Sequence, residues 1–137
     1  MKFIIMTMVI SCWVGVLFCG EYVVIVSNDN PLTSVSKADL KRVYTGKMNN
    51  INGNTVNPVN ISLNDPAAAS FLDEIVGMGV ADYKSFWLAE QIRGGSSAPS
   101  VKNSADDMLS HIKSNTNAIG YIPKGSNPDG VKVLTVN

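Results

Sequence analysis

The fold is decided by residues 62–76, which read SLNDPAAASFLDEIV and join a predicted strand to a predicted helix. Asp65 is a preferred helix N-cap, and Pro66 suits the first helical position. The apolar residues that follow recur at i, i+3, i+4, i+7 and i+8, which predicts one buried helix face. These residues are Ala68, Phe71, Leu72, Ile75 and Val76, and the GMG of residues 77–79 ends the helix. A strand that leads into an amphipathic helix is typical of an α/β fold.

The chain before this stretch contains a strand and a capped helix. Residues 22–27 read YVVIVS, a continuous β-branched run that predicts a strand of a sheet covered on both faces. Ser36 and Asp39 have the spacing of a capping box, and Gly46 ends the helix that follows.

A turn and a second strand come next. Asn52 and Gly53 form a tight-turn dipeptide. The strand is expected near residues 56–63. Pro58 lies inside it and favours an edge position or a strand start, because proline cannot donate to the ladder.

The second half adds two helices and two strands. One helix is expected from about residue 82 to residue 92, and the Gly- and Ser-rich residues 93–100 are expected to form a loop. Ser104 caps a last helix with Asp107 as its partner. AIGYI and VKVLTV read as short strands. The order β-α-β-α-α-α-β-β predicts an α/β domain with a mixed, largely parallel sheet flanked by helices.

The spacing of apolar residues also predicts a core in which helix residues pack on sheet residues. The helix residues are Phe71, Leu72, Ile75, Val76, Phe86, Trp87, Met108, Leu109 and Ile112, and the sheet residues are Val24, Val26, Val59, Ile61, Ile119 and Tyr121.

Composition fits a single folded domain that does not bind nucleic acid. The chain has 137 residues, of which 45% are hydrophobic, enough to fill a core. Eleven basic and 11 acidic residues give a formal net charge of +0. The chain therefore lacks the overall excess of positive charge that is typical of nucleic-acid-binding proteins.

Residues 1–20 have the pattern of a secretory signal peptide. Lys2 precedes an apolar run of about 16 residues, shorter than a membrane span, and small residues follow. Cleavage would leave residues 21–137 as one domain, periplasmic or secreted, with no cysteine. Acylation of Cys19 as a lipoprotein is the less favoured reading, because the bulky Phe18 precedes it. A membrane anchor is the other alternative.

Residues that could carry catalysis are few. His111 is the single histidine, and no serine lies in a G-x-S-x-G elbow. Asp106 and Asp107 fit the first turn of a helix, where carboxylates complement the helix dipole. The sequence therefore predicts no catalytic residue, no metal site and no cofactor, and the protein is not expected to be an enzyme.

The strand-to-helix turn is the candidate ligand site. The first amides of a helix favour anions, and α/β folds bind small ligands beyond the carboxyl ends of strands. Arg93 stands beside Gly94 and Gly95 and has the reach to contact an anion.

Three motifs resemble the substrate-binding proteins of phosphate ABC transporters, which have the periplasmic binding protein-like type 2 fold. Residues 35–62, VSKADLKRVYTGKMNNINGNTVNPVNIS, resemble the family's helix, Gly-Lys pair, turn and Pro-Val strand. Residues 86–112, FWLAEQIRGGSSAPSVKNSADDMLSHI, resemble the Trp-containing helix and glycine-rich loop of short members. Residues 115–125, NTNAIGYIPKG, resemble the family's Gly-Tyr strand. The resemblance implies a short, single-lobe relative of an exported solute-binding protein.

The ligand loop departs from the family pattern. Leu63 stands where the resemblance implies an arginine, Asp65 matches the aspartate, and PAAA at residues 66–69 replaces a Gly-Ser-Gly-Thr run. The implied anion site is therefore degenerate. Its candidate ligand-binding residues are Asn64, Asp65, Ala67, Ala68 and Ser70, with Lys47 and Arg93 as the cations that could reach it.

Two functions follow as hypotheses. One is a solute-binding domain for a small oxyanion that serves a membrane transporter. The other is a periplasmic interaction module that has lost ligand binding and contacts a periplasmic protein. A single lobe cannot enclose a ligand, so a partner or a second copy in a homodimer is expected to supply the other wall.

Overall fold

The protein is described by a computed structural model that covers residues 22–137. The helices are α1 (Lys37–Tyr44), α2 (Pro66–Phe71), α3 (Val80–Ile92) and α4 (Ala105–Ser114). The strands are β1 (Tyr22–Ser27), β2 (Ser34–Val35), β3 (Asn50–Ile51), β4 (Asn54–Thr55), β5 (Asn57–Ile61), β6 (Ser100–Lys102), β7 (Ala118–Pro123), β8 (Val131–Val133) and β9 (Thr135–Val136). The predicted signal peptide, residues 1–20, lies outside the described residues.

A five-stranded sheet in the order β6-β5-β7-β1-β8 forms the centre of the domain. β5 pairs in parallel with both β6 and β7, whereas β1 is antiparallel to both β7 and β8. Four of the five strands therefore run in one direction and β1 alone is reversed. The predicted α/β class and the mixed, largely parallel sheet are confirmed. β1 is next to one edge, and its buried β-branched residues explain the run YVVIVS.

The helix after β5 buries the whole predicted stripe but changes geometry midway. α2 is continued by a π-helical turn over Leu72–Val76, which ends at Gly77 with φ 79°. All five stripe residues, Ala68, Phe71, Leu72, Ile75 and Val76, are buried. Phe71 stacks on Tyr121 of β7 with ring centroids 3.9 Å apart, and this contact joins the helix to the sheet.

Most predicted core residues are buried, and two are corrected. Phe86 and Leu109 pack against the core but remain partly exposed. In α4 the fully buried positions are Met108 and Ile112, which are four residues apart. Leu109 is one step off that line, so helical spacing alone placed it too deep.

Several short elements differ from the sequence prediction. α3 begins at Val80, two residues before the predicted start. Ser100, predicted as loop, begins the edge strand β6. The predicted strand VKVLTV divides into β8, in the main sheet, and β9, which pairs in parallel with β2. The Asn52-Gly53 turn is confirmed as the tip of the β3–β4 hairpin. Within residues 22–137 no helix has both the length and the apolar character needed to span a bilayer.

Candidate functional site

The predicted ligand loop lies where β5 passes into α2. Asp65 is the N-cap, with extended backbone dihedrals, and its carboxylate accepts a hydrogen bond of 2.8 Å from the N–H of Ala67. The carbonyl of Asp65 accepts from the N–H groups of Ala68 and Ala69 at 2.9 and 3.3 Å. This is the capping geometry that the sequence predicts for an Asp-Pro helix start.

The N–H groups just before the helix are also occupied. The N–H of Asn64 donates to Ser62 Oγ at 3.3 Å, and the N–H of Asp65 donates to the Ser62 carbonyl at 2.9 Å. Pro66 has no N–H. Every backbone N–H from Asn64 to Ala69 therefore has an acceptor inside the loop. The Asp65 carboxylate occupies the place at the helix start that an anion would take.

The loop side chains offer little to a ligand. Ala67 and Ala68 are buried at 2% and 0% exposure, so their methyl groups face the core. Asn64 is exposed and Ser70 is half-buried. Of the predicted loop residues, only Asn64, Asp65 and Ser70 therefore combine a polar side chain with access to solvent.

Of the two candidate cations, Lys47 lies at the far end of β5 from the loop and Arg93 is engaged by a nearby carboxylate. Lys47 is exposed and lines a cleft with Asn57 and Pro58, at the amino end of β5, whereas Asp65 follows its carboxyl end. A five-residue strand separates these ends by roughly 13 Å. Arg93, the residue after α3, is exposed and forms an ion pair with Glu90 of that helix. The structure thus keeps the five loop residues together, places Lys47 at the other end of β5 and pairs Arg93 with Glu90.

A buried polar network lies beneath the loop. The Tyr121 hydroxyl donates to Asn60 Oδ1 at 2.7 Å, and Asn60 Nδ2 donates to the Tyr83 hydroxyl at 3.2 Å. The Tyr83 hydroxyl donates to the Tyr44 carbonyl at 2.9 Å. Burial is the main cause that raises the pKa of each of these three tyrosines above 10.0. The network is therefore neutral and fixes the carboxyl end of β5 from below.

Sequence reasoning missed this network. Asn60 interrupts the apolar run of β5. This one polar residue is the only signal in the sequence that could have indicated the network. Because buried amides require hydrogen-bond partners, an asparagine at a core position predicts a polar contact, but not which one.

Another titratable group with a shifted pKa is His111. His111 lies on α4, and burial and then the nearby Lys102 lower its pKa from 6.5. Within residues 22–137, no group of three or more His, Cys, Asp or Glu side chains is placed to hold a metal ion.

These features define an α/β domain whose β5–α2 loop is capped internally by Asp65. Comparison with protein-family models and with curated proteins gives no match. Solved structures do match in fold. One is a phosphate ABC transporter substrate-binding protein with bound phosphate from Clostridium perfringens, at 24% identity and a TM-score of 0.62 over 85% of this chain and 44% of that chain. Another is an ABC-type phosphate transport receptor from Vibrio cholerae, at 19% identity and a TM-score of 0.62 over 85% of this chain and 46% of that chain.

A third similar structure is PstS from Borrelia burgdorferi, at 17% identity and a TM-score of 0.63 over 85% of this chain and 47% of that chain. The resemblance predicted from the sequence is therefore confirmed at the level of the fold. The chain spans less than half the length of these proteins. By name they are transport or binding proteins.

Proposed function

We propose that this chain is an exported, solute-binding-protein-like domain related to the substrate-binding proteins of phosphate ABC transporters. The observation that carries the proposal is the fold match over 85% of the chain to phosphate-transport proteins. The chain spans less than half of each such protein, so it would supply one wall of a binding cleft, and a further lobe, a partner or a second copy would supply the opposite wall.

The anion site of this domain is degenerate. Two observations support this part of the proposal. The amides from Asn64 to Ala69 are all engaged within the loop. Lys47 lies at the amino end of β5, away from Asp65, and Arg93 is paired with Glu90. A dianion at the loop would have to displace the Asp65 carboxylate from the Ala67 N–H, and residues 62–70 themselves contain no cation.

The alternative is a periplasmic interaction module that binds no small oxyanion and contacts a transporter subunit or another periplasmic protein. The internally capped loop favours this alternative over phosphate uptake. A helix start that is capped by its own side chain is stable, but it leaves no backbone N–H free to donate to an anion.

A thermal-shift series on the purified chain separates the two functions. Phosphate, sulfate and other small oxyanions are added one at a time. A ligand at 100 times its Kd stabilises a protein by about 2.7 kcal/mol. A clear rise in Tm with one oxyanion supports a solute-binding role, and no rise with any of them supports the interaction module.

Export is tested separately by intact-mass spectrometry of the protein recovered outside the cytoplasm. The proposal expects an N-terminus near Glu21 or Tyr22. A chain that retains Met1, or that carries a lipid on Cys19, contradicts it.

A further inference from the structure

A second pocket lies between α3 and the edge strand β6, apart from the Asn64–Ser70 loop. Its volume is about 370 Å³, within the range of small-ligand sites. The wall and rim are formed by five apolar residues, Leu63, Leu88, Ala98, Pro99 and Val101. Leu88 and Val101 are 59% and 45% exposed, and they are two of the four large exposed hydrophobic side chains in the described part of the chain. The pocket therefore presents apolar surface to solvent.

The lining of this pocket is polar at its most buried points. Asn60 and Tyr83, at 1% and 2% exposure, both line it and belong to the buried network. Asn60 Nδ2 uses one of its two N–H donors on the Tyr83 hydroxyl. An apolar pocket with a few fixed polar groups is the usual form of a site that orients a small ligand.

Trp87 adds an unsatisfied donor. Its side chain is 5% exposed and lines the pocket, and its Nε1 is the one buried side-chain polar atom, among the described residues, without a hydrogen-bond partner. The benzo edge of the indole packs toward Gly46. Tyr83 lies beside this indole, edge to face, with the two ring centroids 6.4 Å apart. A buried donor left unpaired is unusual and calls for an acceptor.

The charge at the pocket is positive. Lys84 is the only ionisable group besides the neutral Tyr83 among the lining residues, and it is exposed. Within the part of the chain that the structure describes, Lys84 takes part in no ion pair; the three pairs present join Lys37 to Glu74, Arg42 to Asp39 and Arg93 to Glu90. An incoming carboxylate would therefore meet an available cation and no opposing carboxylate.

We infer that this pocket binds a small amphipathic carboxylate. The apolar body contacts Leu88, Pro99 and Val101, one carboxylate oxygen accepts from the indole N–H of Trp87, and Lys84 neutralises the charge at the rim. The inference is independent of phosphate binding, because none of these residues belongs to the Asn64–Ser70 loop.

The test uses 3-phenylpropionate as the probe on the full chain labelled with ¹⁵N. The two indole N–H signals belong to Trp13 and Trp87, and the variant Trp13→Phe assigns them. The Trp87 signal is expected to shift progressively as the probe is added. The uncharged amide 3-phenylpropionamide keeps the apolar body and an acceptor but lacks the charge, and it is expected to bind more weakly.

Two exposed positions give variants that leave the core intact. Lys84→Met is expected to raise the Kd about two- to fivefold, the usual effect of one exposed charge. Leu88→Asp removes apolar contact and adds a like charge, so its Kd should rise about tenfold or more. Lys47→Met is the matched control, since Lys47 lines the neighbouring cleft and not this pocket, and it should leave the Kd unchanged.

The inference is overturned if the Trp87 signal does not move at up to about 10 mM probe, weaker than a useful small-ligand affinity. Equal binding of the acid and the amide removes the assigned role of Lys84 and overturns the carboxylate class. If Lys47→Met raises the Kd more than Lys84→Met does, the probe binds in the cleft that Lys47 lines and not in this pocket, which also overturns the inference.

Discussion

The carboxylate of Asp65 accepts a 2.8 Å hydrogen bond from the backbone N–H of Ala67, across the junction of β5 and α2. The same junction is where the resemblance to phosphate-binding proteins implies an anion loop. A side chain that caps the helix uses the donor that a ligand would need. The local stability of the helix start and its use as an anion site are therefore alternatives at this position.

The first prediction concerns this cap. Asp65→Ala should lower the free energy of unfolding by about 1 kcal/mol, because the Ala67 N–H loses its acceptor. Asp65→Asn keeps an acceptor oxygen and should lower the free energy of unfolding by only a few tenths of a kcal/mol. Urea unfolding followed by circular dichroism compares the two variants. An equal loss in both would show that the charge of Asp65, rather than its cap, stabilises the loop.

The second prediction is that phosphate binds weakly or not at all. The arginine and two hydroxyls that the family pattern implies are missing. Added together, the free energies that three such contacts usually contribute come to roughly 2.5–6 kcal/mol, or about two to four powers of ten in Kd. Isothermal titration with phosphate near neutral pH measures this directly. Micromolar binding would contradict the prediction, and Lys47→Ala and Arg93→Ala would then identify the cation that replaces the arginine.

The third prediction compares Ile112 and Leu109, two positions of α4 that are three residues apart. Ile112 is fully buried, so Ile112→Ala should cost about 2–5 kcal/mol. Leu109 is only partly buried, and Leu109→Ala should cost less, about 1–2 kcal/mol. Leu88→Ala, at an exposed position of α3, is the control and should change stability by less than about 0.5 kcal/mol. Denaturant titration gives all three values; a larger loss at Leu109 than at Ile112 would mean that α4 is rotated.

The fourth prediction uses two glycines that share a positive φ. Gly53 has φ +85° and open space around it, so Gly53→Ala should cost about 1–2 kcal/mol from backbone strain alone. Gly46 has φ +78°, and an added Cβ would lie 2.8 Å from Cη2 of the buried Trp87. Gly46→Ala should therefore cost about 1–3 kcal/mol more than Gly53→Ala. Thermal unfolding of both variants tests the difference, and equal losses would show that Trp87 can move aside.

Local signals in the sequence determined the elements that depend on neighbours in the chain. Ser36, Asp65 and Ser104 cap their helices as predicted, because a cap joins residues only two or three positions apart. The Asn52-Gly53 turn and the buried stripe after Pro66 follow from the same short-range rules. The α/β class was predictable because these elements alternate along the chain.

Only the tertiary structure decided the relationships between distant residues. β2 pairs with β9 although Ser34 and Thr135 are 101 positions apart, and the two residues of β2 have no strand signal of their own. The reversal of β1, the polar network around Asn60 and the placement of Lys47 at the end of β5 away from Asp65 also depend on how the strands are arranged. Spacing in a sequence fixes which residues share a face of one element. It does not fix which elements meet, because that choice is made by burial and pairing across the whole chain.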